Sequence, residues 1–366
     1  MELNWKENWS ETQQNFRNWW NRDGFILSHW GTGLETGQSL HGIEAPPLPA
    51  SEEQRHTDPA WVARNEEYRL SCNWQGADFM PMAFPDYGTV TLATFLGVEP
   101  RYEEEYILYH PTDLSPEKDR ELTIDPSDRH FVNMLEISRS LMEKSAGRFC
   151  VGLPAIAPGL DVLAEIRGTQ NLLMDLILNP EWVKEKLEEI NRTYFECYDQ
   201  FYNILKGEDG SSINGWFMFW GPGKVAQAQC DFCAMISPDM FRDFAIPTLK
   251  EHCDVLDHSL FHLDGPDAVN KLDALLEIES LDAVEFTPGP QVPQGGDPAW
   301  YDMYRKIRKA GKCVQAVSLK PEEVVPLFDE IGSDGMYLMV DFQSRKQVED
   351  TLKQVEQFRK KGSGNS

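Results

Sequence analysis

From residue 148 onward the chain alternates short apolar runs with longer amphipathic ones, and this alternation most constrains what it can fold into. The spacing predicts strands at 148–153, 213–219, 259–264, 282–286, 312–317 and 335–340. Helices are expected between and after them, at 161–178, 180–205, 238–257, 267–277, 298–310, 320–331 and 345–360. Strand–helix units repeated in this way give a parallel sheet with right-handed crossovers, either open or closed. No G-x-G-x-x-G follows a strand and no G-x-x-x-x-G-K-[ST] occurs, so an open nucleotide-binding sheet lacks its usual signature. The expectation is therefore a (β/α)8 TIM-type barrel with an N-terminal helical extension, a size that 366 residues accommodate. Residues 1–75 are expected to form a helical arm and loop packed on the barrel. Residues 76–361 would be the barrel, and 362–366 a flexible tail. Earlier strand candidates lie at 25–30, 77–84 and 104–109. Ser237-Pro238 and Asn179-Pro180 are helix starts, with Pro in the first helical position.

Charge and cysteine usage narrow the function classes. A formal net charge of −26 repels nucleic acid and anionic lipid alike. Seven scattered cysteines argue against a disulfide framework and for a reducing compartment. The N-terminus has no basic and apolar leader pattern, and no apolar stretch reaches 18 residues. These features lead to the expectation of a cytoplasmic protein whose partners are neither nucleic acid nor membrane; a small-molecule substrate is expected from the residues that follow.

Polar and aromatic residues stand at the expected C-terminal ends of separate strands, the rim where barrel enzymes collect their chemistry. His262 and Asp264 are two apart on one strand and project to the same side, close enough to share a metal ion or a proton. The bland alternative makes Asp264 a helix cap. Cys230 in Cys-x-x-Cys is a third candidate ligand, and Asp231 beside it a candidate for binding substrate. Asp86, in a Phe-Pro-Asp-Tyr-Gly turn, is either a general base at the rim or a helix cap, with Tyr87 facing substrate in the first reading. Glu285 on an apolar strand needs a partner and is the second candidate base. Trp216, Trp220, Gln315 and Asp341 complete the expected substrate contacts, the indoles by stacking.

Several segments resemble the uroporphyrinogen decarboxylase superfamily over roughly residues 77–340: Gly152–Ala164 with its Gly-x-Pro turn, Cys230–Phe241 leading into the Ser-Pro helix start, and Ala77–Gly88 with Asp86 in its turn. Phe261–Gly265 is similar to the His-x-Cys-Gly of methylcobamide:coenzyme M methyltransferases, with Asp264 where those enzymes have Cys. The resemblance implies a zinc-dependent methyl or alkyl transferase, a corrinoid protein as partner and a homodimer. An Arg-rich N-terminal motif for gripping a polycarboxylate is missing, which disfavours porphyrinogen decarboxylation. A metal-dependent hydrolase or lyase acting on a glycosidic or polyhydroxylated substrate is the alternative, suggested by the mixture of carboxylates and indoles.

Overall fold

The computed structural model describes residues 3–103 and 107–359. It is an α/β structure around a parallel sheet of six strands. Their order is Ile26–Ser28, Met336–Val340, Cys313–Leu319, Ala283–Thr287, His258–Asp264 and Val225–Gln229. Four of these strands come from the long apolar runs of the C-terminal half. A further parallel pair joins Met82–Ala83 to Cys150–Val151, and Leu153 bridges to Asn214. The Asp78 amide donates to the Leu27 carbonyl at 3.0 Å, which brings the chain before that pair against the first sheet strand.

The strands are apolar at nearly every position because both faces of the sheet are covered. Leu260, Ala283, Cys313 and Tyr337 belong to one buried cluster, while their neighbours Phe261, Val284, Val314 and Leu338 belong to another. The first cluster also takes Trp9, Phe16, Trp19 and Trp20 from the helix Trp9–Trp20. Two of these indoles are pinned by hydrogen bonds, Trp19 Nε1 to the Gly335 carbonyl (3.0 Å) and Trp20 Nε1 to the Trp220 carbonyl (2.9 Å). The N-terminal segment is thus more than an arm, since it contributes Ile26–Ser28 to the sheet itself.

The helices largely follow the sequence signals. Pro180–Leu205 begins at the expected proline. Ser237 Oγ accepts the Met240 amide at 3.1 Å and caps Pro238–Phe244. The long helix expected at 161–178 is interrupted at Gly168, whose φ of +86° favours glycine. The run 213–219 departs from expectation most. It is a hairpin, Ser212–Asn214 against Phe219–Gly221, joined by a turn through 215–218. Met218 sits at φ +55° within that turn. The run 104–109 also pairs antiparallel, through Ile107–Tyr109 with Pro100–Tyr102, and stands outside the main sheet. Its residues 104–106 and the expected tail 362–366 lie outside the described residues. No helix among the described residues is long and apolar enough to cross a membrane.

Candidate functional site

Register sets up the site. Gln229, His262, Glu285, Gln315 and Tyr337 are neighbours across five adjacent parallel strands, so a polar row crosses the sheet. Glu285 is fully buried. Burial of a carboxylate requires partners, and both oxygens have one. His262 Nδ1 donates to Oε2, and the Thr287 hydroxyl donates to Oε1 at 2.7 Å. The pairing fixes the imidazole so that Nε2 faces outward. Phe217 packs on the imidazole face with ring centroids 4.8 Å apart.

Outside this pair, Asp231, His262 and Asp264 converge. One ligand atom from each lies within 4.8 Å of the others, and Asp231 and Asp264 are exposed. His262 Nε2 is 3.9 Å from Asp231 Oδ1. The helical turn after Asp264 begins at Gly265 with no side-chain cap, so capping is not the role of Asp264. Burial opposes a charge on His262. The Glu285 carboxylate, then Asp231 and Asp264, outweigh it and raise the imidazole to about 9. The surrounding protein partly desolvates the Asp231 carboxyl although its outer edge is open, and this, reinforced by Asp161, pushes it up to about 7 against the pull of His262.

Asp161 is the residue sequence reasoning missed. It opens the helix Leu160–Arg167 and accepts the amides of Asp231 (2.9 Å) and Phe232 (2.8 Å), with Gln229 Nε2 at 3.4 Å. It therefore holds the turn that carries Asp231. Burial raises its carboxyl despite these donors. A contact spanning 70 residues leaves no local signal.

Other expected site residues lie elsewhere. Cys230 is buried, and the neighbouring Cys233 thiol together with burial keeps its thiol well above the ordinary range. A metal ligand needs the thiolate, and Cys230 is outside the converging group. Trp220 is sealed at the opposite end of the sheet. The hairpin reverses the chain after 218, so Trp220 packs with Trp20 and Arg17, whose guanidinium lies 4.6 Å from its ring. Tyr87 is fully buried and bonds to Asn133, which leaves substrate no access. Gln315 is fully buried, and its Nε2 donates to the Phe217 carbonyl at 2.9 Å, supporting the turn from below. Glu285 likewise has no open oxygen for a base; its geometry suits orienting His262. Asp341 follows its strand and is partly exposed, outside the converging group.

Asp86 and Trp216 meet at a neighbouring cleft. Asp86 Oδ1 accepts the Gly88 amide at 2.7 Å, forming a turn rather than capping the helix Thr91–Phe95. Its carboxylate is open to the cleft yet hemmed in by the walls, and that burial raises its pKa, with Glu66 adding to the effect.

No protein-family model and no curated protein sequence matches the chain. The fold is similar to that of a methyltransferase from Methanosarcina mazei, with a TM-score of 0.58 over 98% of this chain and 99% of that one. Identity is 12%, so the likeness concerns the fold.

Proposed function

We propose that the chain is a methyl- or alkyl-transferase-like enzyme whose reaction centre is a divalent metal site at Asp231, His262 and Asp264. The observation that carries this reading is the convergence of those three side chains around an imidazole oriented by a buried carboxylate. Metal-binding histidines commonly donate their other ring N–H to a carboxylate, which fixes the tautomer and raises ligand basicity. Charge supports the same reading. Asp231, Asp264, Glu285 and Asp161 act on one imidazole, and a cation relieves that excess of negative charge. The described donors are one nitrogen and two carboxylates, with no thiolate among them. That set suits zinc and harder divalent ions. A bound ion supplies Lewis acidity and lowers the pKa of the nucleophile it holds.

The chain's own residues have separable tasks. Glu285 holds the His262 Nδ1 proton and keeps Nε2 directed outward. Asp161 fixes the Asp231 backbone. Phe217 shields one face of the imidazole from water. In the same reading, the two parallel ladders, the Asp78–Leu27 bond and the Leu153–Asn214 bridge close into a (β/α)8 ring, with the cluster at its C-terminal rim. The test is elemental analysis of purified protein and of His262→Ala after equilibration with Zn²⁺ or Mn²⁺. Stoichiometric metal that the variant loses is expected. Equal metal in both proteins overturns the site.

A further inference from the structure

The cleft bounded by Trp216 has walls that the metal reading does not use. Its volume is about 390 Å³, and it is lined by Trp30, Phe84, Trp216, Met82 and Met218 with Glu66, Arg69 and Asp86. Trp30 is 42% exposed, one of the few large apolar side chains left open to solvent, and it stands at this cavity. Phe84 and Trp216 meet edge to face, with centroids 6.4 Å apart and planes at 83°. Two rings at right angles, with the Trp30 indole as a third lining ring, present aromatic surface from several directions. The two methionines add polarizable, apolar surface.

The charges beside these rings point to the sign of the ligand. Arg69 does not make the cavity basic. Its Nη2 pairs with Glu66 at 2.5 Å and its Nη1 donates to Thr32 Oγ1 at 2.8 Å. With that pair neutralised, Asp86 is the charge left over. It stands on the wall shared with a second cavity of about 210 Å³, which contains Trp61, His56 and Arg55, the last already paired with Glu52 at 2.8 Å. An aromatic surround with a net carboxylate attracts a soft cation: the ring faces are negative, and a methylated ammonium loses little hydration on entering. A carboxylate ligand would face Asp86, and a purely apolar ligand would offer no partner to its second oxygen, the first being taken by the Gly88 amide.

We propose that this cleft is a binding site for a methylated ammonium cation, held by Trp30, Phe84 and Trp216 with Asp86 as counter-charge. The site deepens the transferase reading by naming the class of group received beside the metal cluster, and it rests on that reading only for the link to chemistry. Binding is tested by itself.

Choline and its neutral carbon isostere 3,3-dimethyl-1-butanol are titrated into the full chain by calorimetry, with and without a chelator. Choline is expected to bind at least tenfold more tightly than the isostere. Trp30→Ala and Trp216→Ala should each weaken choline by about 3- to 30-fold, as loss of a cation–π contact does. Asp86→Asn should weaken choline and leave the isostere unchanged. Trp30 is exposed, so its variant remains folded and decides the matter if Trp216→Ala does not. Equal binding of choline and isostere, or unaltered choline binding by Trp30→Ala and Asp86→Asn, overturns the site. His262→Ala separates the two readings. Choline binding that survives in this variant and under chelation, with no metal bound by the wild type, leaves the cation site standing and removes the metal centre. Metal bound at the cluster with no choline binding does the reverse. Choline binding that requires metal places the ligand at the cluster and overturns the cleft.

Discussion

Replacing His262 by Ala should destabilise the metal-free protein by more than the loss of packing. Glu285 is fully buried, and one of its oxygens depends on His262. Removing the imidazole strands a carboxylate in the sheet interior, which costs about 3–5 kcal/mol. The raised imidazole gives a second measure. A rise from 6.5 to about 9 corresponds to about 3 kcal/mol at 1.36 kcal/mol per unit. The sign follows from the folded value lying above the unfolded one. The contribution is complete below pH about 6.5 and is lost as pH rises through about 9. Glu285→Gln keeps the shape and removes the charge. The double variant His262→Ala/Glu285→Gln should therefore be more stable than His262→Ala alone, by about 2 kcal/mol or more. Urea unfolding in chelator, followed by tryptophan fluorescence at pH 6 and pH 9.5, measures all three. A cost below about 1 kcal/mol for His262→Ala, or no recovery in the double variant, would refute the idea of a coupled buried pair.

Other outcomes follow from the same geometry. Asp161→Ala leaves the Asp231 and Phe232 amides without their acceptor, so it should weaken metal binding by about 10- to 100-fold in a competition with a chelating dye. Cys230→Ser should change metal affinity less than about twofold, because that thiol is buried and outside the cluster; the same competition checks it. Lys6 is buried, donates to the Gly76 and Ala77 carbonyls, and is lowered to about 8, chiefly by burial. The unfolded chain therefore binds more protons between pH 8 and 10.5, and stability should rise across that window; Lys6→Met should abolish the rise in denaturant titrations.

The C-terminal strands were legible because each is buried on both faces, and that condition writes a continuous apolar run into the chain. Val225–Gln229 ends the same six-stranded order and is buried at every position but escaped, because Gln227 and Gln229 interrupt its pattern. Gln227 instead bonds with Asn214, a contact no periodicity records. The hairpin 212–221 was hidden for the opposite reason. Trp216 to Trp220 are all apolar, so nothing in the composition marks the reversal, and Trp220 was expected at the wrong end. His262 and Asp264 could be read together from strand alternation alone. The roles of Glu285 and Asp161 could not, since each is defined by a partner on another element.

The turn between the two hairpin strands serves as a party wall. Trp216 faces the cleft while Phe217 lies on the imidazole, and the carbonyls of Phe217 and Met218 are braced by Gln315 (2.9 Å) and Tyr337 (2.7 Å). A partition fixed along its base and shared by two rooms cannot yield to an occupant of one without pressing on the other. An occupant of the aromatic side that displaced this turn would be felt at the ring on 262, and choline binding measured with and without metal would register that exchange.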